Sequence, residues 1–120
     1  MKVAVSANGC DLDSAVDQRF GRARCFVVVD TETGETACLD NGGAAGLSGG
    51  AGIQAAQTVA KSGAKALITG HCGPKAFAAL AAAGIKIYYA QGGTVSEAVE
   101  KFKKGELKEA GGANAPTHWS

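Results

Sequence analysis

The chain has 120 residues and a formal net charge of +1 at pH 7, a length that suits one ordinary domain with a core of its own. With 46% hydrophobic and 19% charged residues it is not a disordered chain, and its near-neutral charge excludes a general attraction to nucleic acid or anionic membranes. Any anion site must therefore be local. No apolar stretch is long enough for a membrane span or a signal peptide, so we expect a cytoplasmic protein.

The first part of the chain predicts three antiparallel strands. An apolar, β-branched run over 2–7 predicts a buried strand that ends at a turn. Two further strands over 23–30 and 35–40 flank a short hairpin turn at Gly34. The next segment, 41–52, is rich in glycine, which leaves it little conformational preference of its own. We expect this segment to be mobile unless something fills it.

The rest of the chain predicts helices that alternate with strands. Helices are expected over 51–62 and 74–83, and a third from the capping box Thr94-Val-Ser-Glu97 to Gly105; strands are expected over 65–69 and 86–89. A meander followed by parallel crossovers predicts an α/β, ribonuclease H-like three-layer fold, with a mixed five-stranded sheet in the order 3-2-1-4-5 and helices on both faces. We expect a single domain over 1–104 and a flexible C-terminal tail over 105–120.

One edge of this sheet would collect four inter-element loops and the N-termini of all three helices. The helix after the glycine-rich segment would present free backbone N–H groups and the positive end of its dipole, which suits an anion. The sequence has no G-x-x-x-x-G-K-[ST] pattern, and its glycines follow a hairpin, so neither a P-loop nor a dinucleotide fingerprint is predicted. The alternative is a surface connection without a ligand.

The stretch Gly70-His71-Cys72-Gly73-Pro74-Lys75 runs from the fourth strand into a helix, with Pro74 at its first position. A thiol at a helix N-terminus is expected to have a lowered pKa, so Cys72 and His71 could offer a thiolate and a nitrogen to a soft metal such as copper. The alternative is a half-buried thiol and a surface histidine at a tight turn. Cysteine hydrolase chemistry is disfavoured because adjacent residues rarely take the nucleophile–base geometry.

Three arginines, Arg19, Arg22 and Arg24, precede the second strand on the same edge, where guanidinium groups would suit a multiply charged anion. Aspartates in the same region leave ordinary loop ion pairing as the alternative. The predicted first and fourth strands contain no acidic residue, which argues against a two-metal nuclease. We therefore expect no catalytic residues and no enzymatic activity.

The remaining cysteines are spread along the chain without a C-x-x-C pair, which disfavours a zinc ribbon or a thioredoxin-type motif. In a reducing compartment we expect free thiols rather than disulfides. Cys25 and Cys38 lie within predicted strands, so core packing is their expected role, while Cys10 lies in a loop and stays a candidate ligand.

Several motifs occur together: Arg19-Phe-Gly-Arg22 before an apolar strand, the glycine-rich segment, Ile68-Thr-Gly70, Gly73-Pro-Lys-Ala-Phe77 and Ala83-Gly-Ile-Lys-Ile87. This combination resembles the dinitrogenase iron–molybdenum cofactor biosynthesis family over about residues 1–104. The resemblance implies a ribonuclease H-like, cofactor-binding domain. It further implies non-covalent binding or carrying of an anionic metal–sulfur cofactor, either a molybdenum–copper sulfide cluster or an iron–molybdenum cofactor precursor.

As partners the resemblance implies cofactor-assembly proteins or P-loop ATPases of the cell-division type. It points to the same edge as the residues themselves. The candidate cofactor-binding residues are Arg19, Arg22, Asn41, Gly42, Gly43, Leu47, Gly49, Gly50, His71, Cys72, Gly73 and Lys75. Cys72 is also a candidate metal ligand, on its predicted placement alone, and apolar Phe20, Leu47 and Ile53 could shield a cluster.

Two other classes of function use the same residues. An enzyme or binding protein for a small phosphorylated metabolite would draw on the glycine-rich segment and the helix N-termini. A protein-interaction module would order its loop only on a partner. The first predicts phosphate-ester binding without a metal, and the second predicts no small ligand.

Overall fold

A computed structural model describes residues 1–42 and 50–114 of the chain. The strands are β1 (Lys2–Ala7), β2 (Cys25–Asp30), β3 (Thr36–Asp40), β4 (Ala66–Thr69) and β5 (Lys86–Tyr89). The helices described here are α1 (Ala51–Lys61), α2 (Pro74–Ala82) and α3 (Val95–Lys103). Each lies within two residues of its predicted bounds. Most of the glycine-rich segment expected to be mobile, residues 43–49, lies outside the described residues.

The strands form one sheet in the order β3-β2-β1-β4-β5. Strand β1 pairs antiparallel with β2 and parallel with β4; β3 joins β2 antiparallel, and β5 joins β4 parallel. The apolar runs of β1, β2 and β4 are buried almost throughout, whereas β3, at the sheet edge, is largely exposed. The predicted mixed sheet and its strand order are confirmed, and the ribonuclease H-like name for the architecture stays a prediction.

Successive side chains of each strand point to opposite faces of the sheet, and each face has its own core. On one face, α1 and α2 cover a core that includes Phe26 and Leu67. On the other, α3 covers a core that includes Val5 and Val27. This arrangement gives the three predicted layers. None of the described helices is long and apolar enough to cross a membrane.

The three helices begin in different ways. Helix α3 has the predicted capping box, in which the Glu97 N–H donates to Thr94 Oγ1 (3.2 Å) and the Thr94 N–H donates to Glu97 Oε1 (2.9 Å). Helix α2 has Pro74 in its first turn, as predicted. Helix α1 follows Gly50, whose φ is 76°, and has neither a side-chain cap nor an acidic residue in its first turn. Its N-terminal dipole is therefore not offset by side chains of its own first turn.

The chain after α3 was expected to be a flexible tail, and as far as residue 114 several of its groups form hydrogen bonds with the domain. The Ala110 N–H donates to the carbonyl of Ile87 in β5 (2.7 Å), and the Tyr89 hydroxyl donates to the carbonyl of Gly112 (2.7 Å). The Asn114 N–H donates to the carbonyl of Cys72 (3.0 Å). Glycine and alanine have little or no side chain, so nothing in the sequence indicated that this segment would contact the domain through its backbone groups. Residues 115–120 lie outside the described residues.

Cys10 and Cys38 form a disulfide, with their Cα atoms 5.3 Å apart. The expectation of free thiols is therefore wrong for this pair and holds for Cys25 and Cys72. Cys38 is also exposed, not part of the core, because β3 is an edge strand and strand membership alone does not imply burial. Cys25 is buried, as expected.

Candidate functional site

The loop between β1 and β2 crosses the ends of two neighbouring strands. Its Asp17 N–H donates to the carbonyl of Ser6 at the end of β1 (2.8 Å), and the Ser6 hydroxyl donates back to the carbonyl of Asp17 (2.7 Å). Farther along, the Phe20 N–H donates to the carbonyl of His71 (3.0 Å), in the loop that follows β4. The loop thereby brings Arg19 beside His71 in a parallel bridge.

Two glycines let this loop pack backbone against backbone. A Cβ atom on Gly70 would lie 2.8 Å from Gln18 Cα, and one on Gly21 would lie 2.9 Å from the backbone nitrogen of Gly52 in the first turn of α1. Both distances are shorter than any ordinary carbon contact. The loop is therefore seated on the start of α1 at one side and on the loop after β4 at the other. We call residues 17–23, 50–53 and 70–73 together the glycine-packed edge.

Asn41 ties the end of β3 to the same loop. Its side chain is buried, its Nδ2 donates to the carbonyl of Ala23 (2.8 Å), and its backbone N–H donates to the carbonyl of Arg24 (3.0 Å). Its Oδ1 is buried without a hydrogen-bond partner among the residues that the structure describes. Because an unpaired buried acceptor costs free energy, this oxygen is a point where a donor would stabilise the edge.

The arginines separate into two places. The Arg19 side chain is 56% exposed, and its Nε lies 3.8 Å from Oδ1 of the nearly buried Asp17, which also accepts the Arg19 backbone N–H (3.0 Å). An ion pair this exposed contributes little stability, so the guanidinium stays accessible to an anion. Arg22 is half-buried beside Gly21. Arg24 instead lines a pocket with Cys10, Cys25 and Cys38, so it does not belong to the glycine-packed edge.

The apolar residues expected to shield a ligand also differ from one another. Phe20 is 1% exposed, and its ring packs against Phe26 with the ring centroids 5.3 Å apart, so it is a core residue and its predicted shielding role is wrong. Because Phe20 lies in a polar loop, its neighbours in the sequence do not indicate that its ring is buried in the core. Ile53 is exposed in the first turn of α1, where it remains a candidate. Leu47 lies outside the described residues.

Cys72 is buried, and burial raises the pKa of its thiol to about 12. This is opposite to the lowered pKa expected for a helix N-terminus, because burial disfavours the charged thiolate. Its backbone N–H already donates to Asn114 Oδ1 (2.8 Å), and Asn114 Nδ2 donates to the carbonyl of Gly70 (2.9 Å). Cys72 is thus a neutral thiol whose backbone N–H is occupied, and its role as a metal ligand stays a prediction.

The structure brings most of the predicted site together. Within or directly beside the glycine-packed edge lie Arg19, Arg22, Asn41, Gly50, His71, Cys72 and Gly73. Lys75 is exposed in the first turn of α2, and Gly42 is exposed with its N–H on the Asp40 carboxylate. Gly43, Leu47 and Gly49 lie outside the described residues.

Sequence reasoning missed Gln18, Gly21 and Asn114. A glycine between a phenylalanine and an arginine before a buried strand was the one available sign of close packing at Gly21. The Gly- and Ala-rich tail gave no indication that the Asn114 side chain would form hydrogen bonds with the loop after β4.

Chemically, the edge presents an accessible guanidinium, the uncapped positive end of α1 and an exposed apolar side chain. The first turns of α1 and α2 contain no acidic residue that would repel an anion. The arrangement suits an anion that is held by hydrogen-bond donors and charge, with one apolar side.

Comparison with known proteins gives consistent results. The chain is similar to the orange protein from Desulfovibrio gigas, solved in its apo form, with 53% identity, a TM-score of 0.93 and coverage of 95% of this chain and 96% of that one. It is similar to a Thermotoga protein of the DUF35 family solved by NMR, with 39% identity, a TM-score of 0.80 and coverage of 90% and 91%. An uncharacterized protein of Methanocaldococcus jannaschii is 29% identical over 112 residues, 91% of each chain.

A family model described as "dinitrogenase iron-molybdenum cofactor" matches residues 1–105. This range includes every described strand and helix, and it contains the whole glycine-packed edge. The chain belongs to the dinitrogenase iron–molybdenum cofactor family.

Proposed function

We propose that this protein binds and carries an anionic metal–sulfur cofactor at the glycine-packed edge and does not itself catalyse a reaction. One observation carries the proposal: Gly21 lies against Gly52. This contact seats the Arg19–Arg22 loop directly on the uncapped N-terminus of α1. The positive charge of the guanidinium groups and the positive end of the α1 dipole would therefore both act on an anion bound at this edge.

The donor set fits a large, soft anion better than a bare metal ion. Backbone N–H groups and arginines bind the outer atoms of an anion, whereas a bare soft metal needs thiolates or imidazoles. The buried thiol of Cys72, with its pKa raised to about 12, is a poor donor in this conformation. The cofactor would thus be cradled by the protein rather than ligated, and Ile53 would cover one side of it.

Two cofactors have these properties. A molybdenum–copper sulfide cluster is the one that the sequence resemblance implies, and the 53% identity to the orange protein supports it. An iron–molybdenum cofactor precursor agrees with the description of the family. As a carrier, the protein would act in the cytoplasm with cofactor-assembly proteins or P-loop ATPases of the cell-division type, and its domain would be ribonuclease H-like.

The test is reconstitution with tetrathiomolybdate and copper without oxygen, followed by gel filtration and metal counting. The double variant Arg19→Gln, Arg22→Gln should retain the cluster about tenfold less well, a loss of about 1.4 kcal/mol, because two cations near the anion are gone. The matched control is Lys61→Gln, Lys104→Gln, which removes the same charge far along α1 and after α3. Its retention should equal that of the wild type.

Thermal unfolding of Arg19→Gln alone should be nearly unchanged, since its ion pair with Asp17 is exposed on the arginine side and contributes little. Equal retention by the two double variants would contradict the proposal. Displacement of the cluster by an equal concentration of a phosphate ester would instead favour the alternative, a site for a small phosphorylated metabolite.

A further inference from the structure

A second group of donors lies at the same end of the sheet, on the face that α3 covers. The sulfur atoms of Cys10, Cys25 and Cys38 all lie within 4.8 Å of one another. Cys10 and Cys38 form the disulfide, and Cys25 is a buried free thiol beside it. The three line a pocket together with Arg24 and Asp40. We call these three residues the three-sulfur cluster.

We propose that reduction of the Cys10–Cys38 disulfide turns the three-sulfur cluster into a three-thiolate site for a single Cu(I) ion. Thiolates bound in a trigonal plane at about 2.3 Å, a usual metal–thiolate distance, are about 4 Å apart. The sulfurs already lie within 4.8 Å of one another. Once the disulfide is open, small side-chain rotations complete the site.

The backbone holds the three positions whether or not the disulfide is present. Cys25 pairs with Ala7 in β1, and Cys38 pairs with Val27, two residues along β2 from Cys25. Residues two apart in a strand share a face, so Cys25 and Cys38 are diagonal neighbours on one side of the sheet. The loop that carries Cys10 is closed by the hydrogen bond from the Asn8 N–H to the carbonyl of Ala15 (3.0 Å). Reduction therefore leaves the cluster assembled.

The chemistry balances with a dithiol reductant. The reductant gives two electrons and two protons to the disulfide and becomes a disulfide itself, leaving thiols on Cys10 and Cys38. Cu(I) then replaces the protons of three thiols, and these protons pass to solvent. The bound site carries a net charge of −2, and the same pocket contains one cation, Arg24, and one anion, Asp40, so an open, solvated position suits it better than a closed one.

The number of donors favours Cu(I) over Zn(II). Thiolates select soft cations, and structural zinc almost always takes four protein ligands. Among the described residues, no histidine, carboxylate or fourth cysteine joins the three sulfurs within the same distance of one another. The inference does not depend on the cofactor proposed for the glycine-packed edge, because it concerns other residues on the other face.

The test uses the full chain and Cu(I) alone, without molybdenum. Protein is reduced with a dithiol, freed of reductant without oxygen, and titrated with Cu(I) against a chromophoric Cu(I) chelator. Reduced wild type should bind one Cu(I) per chain, with thiolate-to-copper absorption in the ultraviolet. Protein with its disulfide intact should bind more than about 100-fold more weakly, beyond the range for loss of a merely supporting group.

Cys25→Ala keeps both disulfide partners but removes one donor, so in the reduced state its affinity should also fall by more than about 100-fold. The matched control is Ala37→Ser, at the exposed neighbour of Cys38 in β3, which keeps all three sulfurs and should bind like the wild type. If Cys25→Ala does not fold, Cys38→Ser at an exposed position should show the same loss. Equal affinity with and without the disulfide, unchanged binding by the cluster variants, or tighter binding of Zn(II) than of Cu(I) would overturn the proposal.

Discussion

The glycine-packed edge and the three-sulfur cluster lie at the same end of one sheet, on opposite faces, and they are built by opposite means. The edge consists of backbone contacts made possible where Gly21 and Gly70 have no side chain. The cluster consists of side-chain donors placed by strand register. The edge is therefore suited to hold a preformed anion, and the cluster is suited to ligate a metal ion.

The two free cysteines show the same contrast. Cys25 and Cys72 are both buried, and burial raises the pKa of each thiol. Cys25 belongs to a group of three sulfurs within 4.8 Å of one another, and among the described residues no such group of three includes Cys72. A buried cysteine by itself gives little indication of metal binding, whereas its sulfur neighbours give a strong one.

Breaking the disulfide should give the largest effect on stability. The bond closes a chain separation of 28 residues, and loss of a crosslink of that length should lower the free energy of unfolding by about 3 kcal/mol. Urea unfolding with and without a dithiol measures this loss. Cys38→Ser is the control, since reductant should not destabilise it further. Cofactor retention at the edge should not change; a parallel loss of retention would show that the two regions are coupled.

Filling the glycine-packed edge should give the next largest effect. Gly70→Ala places a Cβ 2.8 Å from Gln18 Cα, and overpacking of this kind should lower the free energy of unfolding by about 2 kcal/mol and weaken cofactor retention. The matched control is Gly111→Ala, where a new Cβ meets nothing within 4 Å. Urea unfolding of the two variants should differ clearly. Equal stabilities would mean that the loop yields easily and that the close approach is not required.

Alkaline pH should give the smallest loss of stability. The part of this loss that comes from Cys72 can be identified by substitution. Because the folded thiol has a pKa of about 12, raised from 9.0, the unfolded chain loses this proton first. Its contribution is complete below pH 9 and is lost as the pH rises toward 12, by about 1.4 kcal/mol at pH 10. Cys72→Ala should therefore show a shallower fall in unfolding free energy above pH 9. The variant also removes the charge of Cys72, which after burial is the second cause that raises the pKa of Tyr89 to about 12, so both effects act in the same direction. Identical slopes would indicate that Cys72 is already solvated in the folded protein.

Much of the fold could be predicted from the sequence because it depends on local signals. Apolar β-branched runs marked the buried strands, and Thr94 with Glu97 marked the start of α3. The alternation of elements in the second half was enough to give the parallel crossovers and hence the strand order.

The site was harder to predict because it depends on contacts between distant residues. Arg19 and His71 were both candidates, but nothing local showed that a backbone bridge joins them. The Cys10–Cys38 disulfide and the inward turn of Phe20 require knowledge of which loop covers which face. The direction of the Cys72 pKa shift was wrong because a sequence shows the helix N-terminus but not the burial that outweighs it.

The two hydrogen bonds that the Asn114 side chain forms, one accepted and one donated, have a consequence for biosynthesis. The residues that they hold, Gly70 and Cys72, lie 44 and 42 positions earlier in the chain. A ribosome makes chains from the N-terminus, so the loop after β4 emerges well before Asn114, which forms hydrogen bonds with it. The glycine-packed edge therefore reaches its final hydrogen bonding only after residue 114 has emerged, when all five strands of the sheet behind it have already been made.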